Sequence, residues 1–214
     1  IVNFSVPTGN FGDVYAGYLS KKMGLPINKL IVATNQNDIL HRAISSGKYE
    51  AKTVLETISP SMDIQIASNF ERLIYDLTNY DDIETKNIMK EIKKKGKYII
   101  SKKNLETIKD DFLSASMNEP EILKTIKEVY KKYKVILDPH SAIGFGALSK
   151  IELQGNNIVL ATAHPCKFPD AINSSINIEP SLPSELKYIL DEKENYDIIS
   201  NNLDEIKKYI IDKI

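Results

Sequence analysis

The passage from Ile1 to Met23 constrains the fold most. An apolar opening (Ile1, Val2, Phe4, Val6) runs into Thr8-Gly9-Asn10-Phe11-Gly12-Asp13. That turn leads into Val14, Tyr15, Tyr18, Leu19 and Met23 at helical spacing. This is the sequence form of a strand, a tight loop and a helix N-terminus, with Gly24-Leu25-Pro26 stopping the helix. Such a junction belongs to α/β architecture. The turn itself is a usual place to hold a phosphate.

The motif repeats at once. Leu30-Ile31-Val32-Ala33 is a continuous apolar run, as expected of a strand covered on both faces. Asn35 to Asp38 supplies caps for a second helix ending at Ser46-Gly47. Strand, helix, strand, helix predicts an α/β fold: an open, mostly parallel sheet flanked by helices. Val135-Ile136-Leu137 and Ile158-Val159-Leu160-Ala161 predict two more buried strands. Ser68-Asn69-Phe70-Glu71 reads as a capping box, with Ser68 at the N-cap and Glu71 at N3. Residues 80–115, rich in Lys, Asp and Glu, predict a peripheral helical subregion. Asn118-Glu119-Pro120-Glu121 opens a helix with Ile122, Ile126, Val129, Tyr130 and Tyr133 on one face, and residues 186–214 predict one or two surface helices. At 214 residues the chain reads best as one domain, 1–214.

Composition narrows the function classes. The chain is 42% hydrophobic and 27% charged with net charge −1, so nothing in it argues for nucleic-acid or anionic-membrane partners. The Lys runs at 90–97 and 131–134 are interrupted by Glu or apolar residues and read as solvated helix faces. The single cysteine, Cys166, excludes an intrachain disulfide and suits a reducing compartment. With no bilayer-length apolar stretch and no signal-peptide pattern, a soluble cytoplasmic protein is expected.

Three strand ends carry the candidate chemistry, because ligands of open α/β sheets bind beyond the carboxyl ends of strands. The first is the turn 8–13, which has neither the Lys-Ser/Thr of a phosphate-binding Walker loop nor three-Gly dinucleotide spacing. An anion cradle and a plain strand-to-helix turn both remain open for it. The second is Asp138-Pro139-His140-Ser141, the third Thr162-Ala163-His164-Pro165. His140 and His164 fit acid–base or ligand-binding roles, and equally a hydrogen bond to a loop carbonyl. Thr162 fits a ligand contact or a cap, and Asp138 a turn or cap. Three His and one Cys without ligand spacing give no expected metal site. No base near Cys166 marks it as a nucleophile.

Five ordered blocks add a resemblance. They are Val6-Pro7-Thr8-Gly9-Asn10-Phe11-Gly12-Asp13 (with Ala16-Gly17 and Lys22-Met23-Gly24-Leu25-Pro26), Ile31 to Asn35 with Asn37-Asp38, and Ser59-Pro60-Ser61-Met62-Asp63-Ile64 with Ser68 to Arg72. Leu137 to Gly144 and Ala161 to Pro165 with Lys167-Phe168-Pro169 complete the set. Over residues 1 to about 173 the chain closely resembles the threonine synthase family. The resemblance implies part of the large domain of a tryptophan-synthase-β-like, pyridoxal 5′-phosphate (PLP) enzyme. Such an enzyme converts O-phospho-L-homoserine and water to L-threonine and phosphate.

Carried over residue by residue, it assigns cofactor binding to Gly9, Asn10, Phe11, Gly12 and Asp13, flanked by Thr8, with Thr162 toward the pyridine nitrogen. The family's Schiff-base lysine precedes the Gly-Asn-Phe-Gly loop, and no lysine of this chain stands in that motif. No catalytic residue is therefore assigned. The chain is expected to be the C-terminal portion, inactive alone, with the N-terminal half as its partner and homo-oligomerisation as an option. The alternatives are a related phospho-lyase, an amino-acid dehydratase, or a non-catalytic remnant.

Overall fold

A computed structural model describes residues 1–189 and 191–214 in full and Leu190 by its backbone. The chain runs β1 (Val2–Pro7), α1 (Gly12–Lys22), β2 (Ile27–Thr34), α2 (Ile39–Ser46), β3 (Lys48–Glu50) and α3 (Phe70–Leu77). It continues through α4 (Asp82–Lys95), β4 (Lys97–Ile99), α5 (Lys102–Asp111), β5 (Phe112–Ser116) and α6 (Glu119–Tyr133). Then come α7 (Pro139–Ala147), β6 (Asn156–Val159) and α8 (Pro169–Ile176).

The main sheet is wholly parallel, in the order β5-β2-β1-β6, and β3 pairs with β4 in a small antiparallel ribbon. Alternation along β2 divides the core. Leu30 and Val32 face a cluster with Val14, Leu40, Leu73 and Phe112, whereas Ile31 and Ala33 face one with Ile122, Ile126 and Ile143. Helices α1, α2 and α3 therefore cover one face, and α6, α7 and α8 the other. This two-sided burial is why Leu30-Ile31-Val32-Ala33 is apolar throughout. Because β1 lies between β2 and β6, the order switches direction beside β1, and a crevice opens beyond its carboxyl end.

Several expectations change. Val135-Ile136-Leu137 forms no strand: α6 ends at Lys134 in the left-handed region (φ 58), and no strand pairs with the segment that follows. Ile136 and Leu137 instead pack on the second core cluster. The strand expected at 158–161 begins earlier, at Asn156, because β6 takes its register from β1 (Val2 opposite Asn156). Leu160 adds one more bond, its N–H donating to Ser5 O at 3.0 Å. Residues 112–115, expected in the peripheral helical subregion, form β5 together with Ser116 and pair with β2. The capping box lies at Asn118 and Glu121, not at 68–71, where Asn69 is the N-cap of α3 and no side chain caps.

Residues 181–214 form a second compact unit, with a 3-10 turn at Ser184–Leu190 and a helix α9 (Leu203–Lys213) capped by Asn202. Among the described residues no helix is long and apolar enough to cross a membrane.

Candidate functional site

The loop after β1 is held from both ends. The Thr8 N–H donates to Ala33 O at 2.8 Å, and its Oγ1 donates to Val6 O at 2.6 Å. At Gly9 a Cβ would be crowded, standing 3.0 Å from Ser61 O and 3.2 Å from Met62 Cα. The wall that approaches it is fixed by a buried polar network. Asp63 Oδ1 accepts from Asn35 Nδ2 (2.7 Å), Asn37 Nδ2 (2.9 Å) and Thr57 Oγ1 (2.6 Å).

Phe11 is the N-cap of α1, in the left-handed region at φ 75. A non-Gly residue there carries strain of order 1–3 kcal/mol. Its fully buried ring offsets that strain, packing edge-on to Phe70 (centroids 5.3 Å) and against Phe112 (5.6 Å). Phe11 cannot cap the helix. Asn10 Oδ1 instead accepts from the Gly12 N–H at 3.1 Å and from Asn69 Nδ2 at 3.2 Å. Asn69, expected inside a capping box, thus ties the loop down, and its own N–H donates to Asn10 O at 3.0 Å.

A second helix N-terminus meets the first across the sheet edge. Gly144 lets α7 lie against β1 and β6, for a Cβ there would come within 3.1 Å of Pro7 and Val159. The N-cap of α7 is Asp138, whose Oδ1 accepts from the His140 N–H (2.8 Å) and from His140 Nδ1 (3.1 Å). Its Oδ2 accepts from Ser141 Oγ, which in turn accepts from the Thr162 N–H at 3.1 Å. Burial alone would raise the Asp138 carboxyl. The hydrogen bonds from His140 and Ser141 outweigh it and hold the carboxyl below its ordinary value.

Between the two N-termini lies a cavity of about 200 Å³ lined by Gly9, Asn10 and Asp13 on one side and His140 and Thr162 on the other. Lys167 adds a cation and Phe168 an aromatic wall. Phe11 and Gly12 do not line it, and the Phe11 side chain points into the core. His164 lies elsewhere: it is exposed, and its Nδ1 accepts from the Cys166 N–H (3.2 Å) at the start of a short turn, with Cys166 Sγ at 2.9 Å.

A wider groove of about 830 Å³ runs along α3 and α4, past Arg72, Lys86 and Lys90. Those lysines are exposed, and the buried Thr85 hydroxyl in its wall already donates to Asp81 O at 2.7 Å. The smaller cavity at the strand ends is where polar groups converge.

His140, expected just past a strand end, lies instead in the first turn of α7, and Asp138, expected as a turn or cap, is the N-cap that also holds the His140 ring. The signal available was the spacing Asp-Pro-His-Ser, in which an N-cap carboxylate reaches residues two and three positions on.

Residues 141–210 match the family described as "Threonine synthase, C-terminal". The threonine synthase of Pseudomonas aeruginosa is 40% identical over 98% of this chain, which spans 45% of that relative. The chain belongs to the threonine synthase family. Two solved threonine synthases share its fold. The PLP-bound enzyme of Brucella melitensis superposes with a TM-score of 0.90 at 45% identity, over 98% of this chain and 45% of that one. The yeast threonine synthase gives 0.87 at 40% identity, over 100% and 48%. This chain therefore spans about half the length of the threonine synthases it matches.

Proposed function

We propose that this chain carries the cofactor-holding part of a threonine synthase, a PLP lyase that converts O-phospho-L-homoserine and water to L-threonine and phosphate. One observation carries the reading. Gly9, Asn10 and Asp13 share a single cavity with Thr162, which follows the strand that pairs with β1 from the far end of the sequence.

The residues fit such a cofactor. The first N–H groups of a helix have no intrahelical acceptor, and among the described residues only that of Gly12 at α1 has a side-chain partner. The N–H groups of Asp13 and Val14 remain for a phosphate, which would gain from the helix dipole there. The bare Gly9 backbone lets the phosphate approach closely. The Asp13 carboxylate opposes an anion, and Lys167 on the same cavity offsets it. Thr162 would offer a bound pyridine nitrogen a neutral hydroxyl, which would leave that nitrogen largely unprotonated. Bound PLP supplies an electron sink for carbanion chemistry on the amino-acid substrate, and a neutral nitrogen tempers that sink. His140 and Asp138 border the same space.

The test joins this chain to the portion that its relatives carry and it does not span. Phosphate release from O-phospho-L-homoserine with accumulating L-threonine is expected. Cofactor binding without phosphate release overturns the reading, and release of phosphate with 2-oxobutanoate as the product assigns a related phospho-lyase instead.

A further inference from the structure

His140 carries an atom that the fold does not use. Its side chain is almost fully buried, Asp138 holds Nδ1, and Nε2 has no hydrogen-bond partner among the described residues. Buried imidazole nitrogens are normally satisfied, and one that is not calls for an explanation. Nε2 is also buried, with almost no surface open to bulk water. The ring is held in place: the N-cap carboxylate grips it at Nδ1, and Phe168 stands against it at 4.8 Å between ring centroids. With an ionised carboxylate accepting at Nδ1, that nitrogen carries a proton and Nε2 is the end left to interact. Both His140 and Phe168 line the cavity that also holds Gly9, Asn10 and Thr162.

We propose that His140 is a ligand-contacting residue of this cavity, its Nε2 forming a direct hydrogen bond with a bound phosphate-ester ligand, and that Asp138 is its positioning residue. The proposal rests on the cofactor reading above and adds a side-chain contact to it. Asp138 has a double duty in this arrangement. One oxygen orients His140, and the other, through Ser141, holds the Thr162 backbone. The two groups on that side of the cavity are thus set by a single carboxylate.

The test uses the chain uniformly labelled with ¹⁵N and the probe pyridoxine 5′-phosphate, which lacks the aldehyde and so cannot condense with surface lysines. His41, bonded to Ser114, and the exposed His164 serve as internal controls, and H140Q identifies the resonance. Movement of the His140 Nε2 signal together with the amides of residues 10–13, both controls staying still, supports the proposal. Parallel additions of inorganic phosphate and of pyridoxine then show which end of the probe Nε2 meets. Movement of the amides without Nε2 overturns the proposal and leaves the cofactor reading standing. No movement of either at millimolar probe overturns both.

Affinity gives a second readout. H140F is expected to bind the probe about tenfold more weakly, the worth of one hydrogen bond, and H140Q to recover most of that loss. Unchanged affinity in a folded H140F chain overturns the proposal.

Discussion

Phe11 and Asp138 occupy the same position, the N-cap, in two helices that open on one cavity, yet they fill it in opposite ways. Asp138 supplies the carboxylate its helix needs, accepting from the N–H groups two and three residues on. Phe11 supplies nothing polar, sits in the left-handed region, and is kept there by its ring. One helix end is satisfied from within, whereas at the other the Asp13 and Val14 N–H groups have no side-chain acceptor among the described residues. The contrast suggests how a fold separates structural from ligand-directed uses of the same dipole. The residue that caps is removed from one end, and the backbone geometry it would have enforced is secured by packing.

The largest test of that contrast is at Phe11. F11A should lower stability by about 3–5 kcal/mol in urea unfolding, as for a fully buried aromatic. F11G loses the same ring but relieves the positive φ, so it should be about 1 kcal/mol more stable than F11A. Equal losses would remove backbone strain from the comparison.

Asp138 comes next. D138A leaves several buried donors without an acceptor and should cost about 2–4 kcal/mol. Its pH dependence has a defined sign. The carboxyl is held below its ordinary value in the folded chain, so its contribution is fully present above the unfolded value, about 4. It is lost as pH falls through the lower folded value. The urea midpoint of the parent should therefore fall below about pH 4, and that of D138N should fall less steeply. Parallel curves would assign acid lability to other carboxylates.

G9A is the smallest perturbation. Its Cβ would press on backbone, Ser61 O and Met62 Cα, and should cost about 1–3 kcal/mol. A neutral G9A would mean that the 60–62 wall yields, and the close approach would lose its significance.

Sequence patterns reached the parts governed by local rules. β2 was legible because burial on both faces leaves an unbroken apolar run, β1 because apolar residues recur along it up to a glycine turn, and α1 and α2 because Gly24 and Gly47 mark helix ends. β5 was not, since Phe112-Leu113-Ser114-Ala115 mixes small and polar residues, and its place is decided by pairing with β2. Val135-Ile136-Leu137 failed for the converse reason: an apolar triplet makes a strand only beside another strand. In the site, the loop 8–13 could be read from its glycines. That Phe11 turns inward could not, because the pocket for its ring is built from Phe70 and Phe112, far along the chain. The unpartnered His140 nitrogen is likewise invisible to any pattern, for it depends on which atoms do not meet.

The register of β6 on β1 also sets an order in time. The loop 8–12 is set by the pairing of β1 with β2 and by the Asn69, Phe70 and Phe112 side chains, contacts that reach no further along the chain than residue 112. Thr162 reaches its place once β6 has docked, and Asn3 with Asn157 in that contact are 154 residues apart. Contacts of such sequence separation close slowly in folding. The two walls of the cavity should therefore appear at different moments, so a ligand that needs both can bind only after the last strand has arrived.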